Sequence, residues 1–145
     1  MSPPIRMLAY SLTGALAMGT AAFVADFVLY QVFILPRLPG IHSIPVEWWV
    51  IILIPLAISP LLLGYACGSF ELVLASASGS TIGLMAYEFV VAHLNQPGHL
   101  KSFAVEDPVY FFTTGTAIRF TVVLIAVLVG FVGHRVAHGA TRASI

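Results

Sequence analysis

Charged side chains are scarce in this chain. Asp, Glu, Lys and Arg make up 8% of its 145 residues, against roughly 25% in soluble domains, and a water-soluble fold of this size could not cover its own surface with so few. Neither sign is in excess. Six Lys and Arg stand against six Asp and Glu, so there is no basic field to hold a phosphate backbone, and nucleic acid is excluded as a partner. Cys67 is the single cysteine, which rules out an internal disulfide, a CxxC redox pair and a cysteine-rich metal site. Its place at the end of an apolar run reads as a small apolar filler. The sequence also lacks a GxSxG elbow, a phosphate-binding Walker loop, a GxGxxG fingerprint and an HExxH metal motif, so nothing in it has the form of a catalytic signature.

Long apolar runs are what it has in abundance. Hydrophobic residues account for 59% of the chain and the mean hydropathy is +1.00. Crossing the hydrocarbon of a bilayer takes about 20 mainly apolar residues, and four stretches meet this length, at roughly 7–35, 46–67, 70–94 and 109–137. They are too long for barrel strands, and in lipid the backbone must satisfy its own hydrogen bonds. The expectation is an all-α, multi-pass membrane protein: one domain over 1–145, with four transmembrane helices in an antiparallel bundle. An Ala15-Leu16-Ala17 triplet in the first stretch resembles a signal-peptide cleavage site. The apolar run nevertheless continues to Leu35, well past the about 7–15 residues of a signal core, which favours a retained helix.

The connectors carry ordinary punctuation. Three prolines between Pro36 and Pro45 oppose helix, and Trp48 and Trp49 follow as an interfacial aromatic belt would. Pro55 and Pro60 interrupt the hydrogen bonding of the second helix. Gly68 and Ser69 suit a tight turn between the second and third helices, with Glu71 near the positive end of the third helix dipole. Asp107-Pro108 supplies an N-cap followed by proline at the first position of the fourth helix, and Tyr110, Phe111 and Phe112 form a second aromatic cluster. Arg6, Arg135 and Arg142 lie on the side of the termini, against Arg37 and Lys101 on the other, which puts both termini in the cytoplasm under the positive-inside rule.

Three charges lie inside the apolar stretches: Asp26, Glu88 and Arg119. An ionised side chain at the bilayer centre costs about 3 kcal/mol on insertion scales, so each needs compensation. At a rise of 1.5 Å per residue all three fall about 9–15 Å from the helix ends opposite the termini, close enough in depth for one arginine to face two carboxylates. Small residues share their helix faces: Ala15, Gly19 and Ala22 with Asp26, and Gly115, Thr116, Ala126 and Gly130 with Arg119. Ser76, Gly79, Ser80 and Gly83 form a stripe on the third helix, which suits a central position. The cluster is read either as a buried ion-pair triad that sets helix register or as a carboxylate site for a cation or proton.

Histidine offers weaker candidates. His134 and His138, at i and i+4, share a helix face as metal ligands can, although solvated residues at a membrane boundary are the expectation there. His42, His93 and His99 fall on the opposite side, near Glu106 and Asp107, without diagnostic spacing. A haem held by two histidines would need both within the spans, and no cofactor is indicated. Three functions remain: a non-catalytic accessory or structural subunit of a larger membrane complex; a small oligomeric transporter or channel for an ion, proton or small solute using Asp26, Glu88 and Arg119; or a membrane enzyme acting on a lipid or quinone through His93, His99, Glu106 and Asp107. The expected partners are the lipid bilayer and other membrane subunits or further copies of the chain.

Overall fold

A computed structural model describes residues 2–37, 46–93 and 107–143. Every regular element among them is a helix. The first span begins with α1 (Pro3–Phe23), passes without a break into a π-helical segment (Val24–Ile34), and ends in a 3-10 turn (Leu35–Arg37). There follow α2 (Val46–Ala66), α3 (Phe70–His93), the short α4 (Pro108–Phe112) and the long α5 (Thr114–Ala143). Four helices are long and apolar enough to cross a membrane: Pro3–Arg37, Glu47–Ala66, Phe70–Ala92 and Pro108–His138.

The helix ends follow from local chemistry. Pro3 and Pro4 occupy the first positions of α1, where a missing amide costs nothing, so the helix starts four residues before the apolar run that marks it in the sequence. Asp107 caps α4 as its position suggests, its carboxylate accepting from the amide of Tyr110 at 2.9 Å, with Pro108 next in the chain. The fourth span is broken at Thr113, whose backbone leaves the helical region (φ −111°, ψ −92°); no proline or glycine announces this break. By contrast α2 runs unbroken through Pro55 and Pro60, with Pro60 fully buried against its neighbours.

The π-helical segment has no signature in the sequence comparable to a cap or a proline. It spans 11 residues, VADFVLYQVFI, rich in β-branched and aromatic side chains that form α-helix less readily than the Ala- and Leu-rich α1. Its wider turn adds a residue per cycle, so a 3.6-residue period drawn from α1 no longer predicts which side chains face inward. Those buried are Ala25, Asp26 and Ile34.

Packing pairs the helices differently from their order in the chain. A reading by sequence neighbours makes hairpins of the first and second spans and of the third and fourth. The most extensive contacts instead join α1 to α3 and α2 to α5, with α3 to α5 next. α2 and α3 are separated by only three residues, yet touch far less. The reason is glycine. A Cβ at Gly79 would run into the carbonyl of Ser11, and one at Gly83 into that of Ala15, so the α1 and α3 backbones touch directly. On the other side of the bundle Gly64 meets the backbone of Val127 and Gly130 meets that of Leu61. The ascending series Ser11 with Gly79, Ala15 with Gly83 and Asp26 with Tyr87 shows α1 and α3 running in the same direction.

The interior this creates is small and partly polar. Ser76 and Ser80 are 0% exposed, whereas Leu16 is 73% exposed and Leu62 65%. This inverts the usual order of a soluble core, and it is how helices pack where the surroundings are as apolar as leucine. α3 carries the buried Ser76, Ala77, Gly79, Ser80, Thr81 and Gly83, as expected of a central helix. Trp48, grouped with Trp49 as an interfacial pair in the sequence, packs instead against a cluster of Ala25, Ile34 and Ile52, while Trp49 stays exposed.

Replacing Gly79 by Ala should force α1 and α3 apart and lower stability by about 1–3 kcal/mol, the usual cost of overpacking. Gly133→Ala, where a Cβ meets nothing within 4 Å, should be neutral or slightly stabilising. Thermal melting of both variants in one detergent measures this; equal shifts would rule out the backbone contact as the determinant.

Candidate functional site

Glu88 on α3 and Arg119 on α5 form a two-pronged pair. Arg119 donates from Nε to Glu88 Oε1 at 3.2 Å and from its terminal nitrogen to Oε2 at 2.6 Å. The side chains are 17% and 26% exposed, so the pair is shielded without being sealed, and its planar, bidentate geometry is the strongest that carboxylate and guanidinium can adopt.

Two features of the fourth span hold the arginine. Gly115, one turn before it, leaves the room the guanidinium occupies, since a Cβ there would lie 2.6 Å from its nitrogen. Phe111, fully buried, lies under the charge with the guanidinium carbon 4.9 Å from the ring centre, a cation–π contact. Phe111 reaches this place because the chain breaks at Thr113 and resumes, with Thr116 donating back to the Phe111 carbonyl at 3.1 Å. Sequence reasoning assigns Phe111 to an interfacial aromatic cluster; burial makes it the floor of the arginine site. Its neighbours Tyr110 and Phe112 remain exposed.

Asp26, 6% exposed, sits in the first turn of the π-helical segment and accepts a hydrogen bond from Tyr87 at 2.8 Å. Arg119 takes Glu88 in a fork, and the adjacent Tyr87 donates to Asp26. Tyr87 is the residue sequence reading overlooked. The signal was present, because Ser76, Ser80, Gly83 and Tyr87 recur at i, i+4, i+7 and i+11, one continuous helix face. The small residues named with the charges are placed as expected, with Ala22, Gly115 and Gly130 buried and Ala15, Gly19, Thr116 and Ala126 half-buried.

The other candidates are dispersed. His134 and His138 stack on each other with ring centres 4.1 Å apart, and Tyr65 of α2 meets His134 edge-on at 4.9 Å. Asp107 is engaged as a helix cap. His42, His99 and Glu106 lie outside the described residues, as does the side chain of His93. Cys67 is buried at the end of α2 with its sulfur 3.5 Å from the Ser76 hydroxyl, a filler with one polar contact. No group of three or more His, Cys, Asp or Glu that could hold a metal ion forms among the described residues.

Comparison of the chain with protein-family models, with curated proteins and with solved structures yields no match.

Arg119→Ala should leave Glu88 shielded and uncompensated. The expected loss in detergent stability is about 2 kcal/mol, less than the roughly 3–5 kcal/mol for breaking a fully buried pair, because the site retains some solvent access. Adding Glu88→Gln should restore part of that loss and adding Asp26→Asn should not. A double-mutant cycle on melting data tests the pairing, and a coupling between Arg119 and Glu88 below about 0.5 kcal/mol would contradict it.

Proposed function

We propose that the protein is a multi-pass membrane protein acting as a non-catalytic accessory or structural subunit of a larger membrane complex. Its four spans alternate in direction, and both termini face the cytoplasm, where Arg6, Arg135 and Arg142 lie. The observation that carries this reading is the fate of the charges. Glu88 and Arg119 satisfy each other across α3 and α5, and Asp26 is held by Tyr87. Such pairs specify helix register more than they add stability. The short extramembrane parts leave little beyond the lateral helix surface for interaction. α2 in particular is apolar around its whole circumference and presents Ile51, Leu53, Ile54, Ile58 and Leu62 outward, a surface suited to lipid or to another membrane subunit.

A second reading, an oligomeric transporter or channel for a proton or small ion, has one observation in its favour. Asp26 is an acid buried in an 11-residue π-helical stretch, and departures from α-helix of this kind recur at functional sites. Intramembrane carboxylates commonly serve as proton or cation carriers.

The two readings separate experimentally. Mild solubilisation from the native membrane, followed by mass spectrometry of what co-purifies, should return fixed partner subunits. A partner-free particle that retains uptake or efflux in liposomes would overturn the subunit reading. In that event Asp26→Asn should abolish flux while leaving the melting temperature close to wild type; unchanged flux in both Asp26→Asn and Glu88→Gln would exclude the carboxylate mechanism.

A further inference from the structure

At the other end of the bundle, on the side of the termini, a second constellation is left over by the charge pairs. His134 and His138 lie one helical turn apart on α5, and their rings stack at 4.1 Å with planes 22° apart. Tyr65 of α2 closes the group from the side, its ring edge-on to His134 at 4.9 Å and to His138 at 6.4 Å. The neighbouring Arg135 is occupied elsewhere, stacked 5.1 Å over Phe131.

Two observations make this more than an aromatic contact. The Nδ1 atom of His134 is buried and makes no hydrogen bond among the described residues, whereas buried polar atoms in folded proteins nearly always have a partner. And α5 meets α2 here through Gly130, which lies against Leu61 and the amide of Tyr65, so the phenol and the imidazoles are brought together by a rigid backbone contact.

We propose that His134 and His138 form a binding site for a late first-row divalent cation, Cu2+ or Zn2+, with Tyr65 at its edge and water completing the coordination. Imidazole nitrogen suits both ions, and affinity at such a site follows the order Cu2+ above Zn2+. Histidines at i and i+4 on a helix present their nitrogens to one ion at about 2.0–2.1 Å. In the present arrangement the ring planes are nearly parallel, so their in-plane lone pairs do not yet converge. His138 is exposed and His134 half-buried against α2; rotation about the side-chain bonds of His138, with a smaller turn of the His134 ring that opens its Nδ1 to the ion, supplies the convergence. Two imidazoles that lose a face-to-face contact gain a shared cation, and the orphaned nitrogen gains a partner.

The experiment is titration of the tag-free, detergent-purified protein with CuCl2 or ZnCl2, followed by calorimetry and by thermal melting. The expected result is saturable 1:1 binding, tighter for Cu2+ than for Zn2+, that raises the melting temperature. His138→Gln and His134→Gln should each weaken binding by at least the roughly 10- to 100-fold that supporting residues of metal sites contribute. Tyr65→Phe, which keeps the ring and removes the hydroxyl, should weaken it less. His138 is exposed, so its variant should melt like wild type without metal and keeps the test valid if His134→Gln fails to fold. Absence of saturable binding, or binding equal in wild type and His138→Gln, would overturn the proposal; the second outcome would assign the metal to other histidines of the chain.

Discussion

Direct contact between helix backbones sets the geometry on which the rest of the molecule depends. Where Gly79 and Gly83 lie against the carbonyls of Ser11 and Ala15, and Gly64 and Gly130 against Val127 and Leu61, no side chain separates the helices. Interfaces of this kind do not need a hydrophobic driving force. They gain dispersion contacts from closeness alone, which is why the interior can be lined by serine, alanine and glycine while leucine and phenylalanine point outward. Because the contacts involve particular residues, they also fix the vertical register of each pair, and the register determines which polar groups come into reach of one another.

The polar layer is a consequence of that register. With α1 and α3 locked side by side, Asp26 arrives beside Tyr87; with α3 and α5 in contact, Glu88 arrives beside Arg119. Each carboxylate thus meets its own donor on a different element. The fork of Arg119 on Glu88 is strengthened by the Phe111 ring beneath it and by the space that Gly115 leaves. Partial exposure of the pair limits both its desolvation cost and its contribution to stability, so its main effect is on specificity: sliding either helix by one turn, about 5.4 Å, would strand a charge. The same logic at the opposite end brings Tyr65 to the two histidines.

Much of this was legible from residue types. Helix number, approximate spans, the Asp107-Pro108 cap and the central place of α3 follow from apolar run length, capping chemistry and the stripe of small residues, all of which act over one or a few turns. The three intrahelical charges stood out for the same reason. The arginine's partner was less accessible: depth along a helix is calculable from sequence, but two carboxylates of similar depth differ only in azimuth, and the π-helical segment shifts the azimuth of everything in and after it. Phe111 reads as interfacial in the sequence because it lies near a helix start, and the break at Thr113 turns it inward.

Composition by itself determined that the chain is helical and of membrane-spanning apolarity, since run length and the scarcity of charge are properties that no packing arrangement can change. Only the tertiary structure decided which helices are neighbours, that Glu88 receives Arg119 in a fork, that Tyr87 donates to Asp26, and that His134 and His138 stack beside Tyr65. These are contacts between residues 31 to 73 positions apart in the chain, each joining one helix to another that is distant in sequence. Local propensity carries no information about them; they are set where two backbones can approach closely enough to exclude a Cβ.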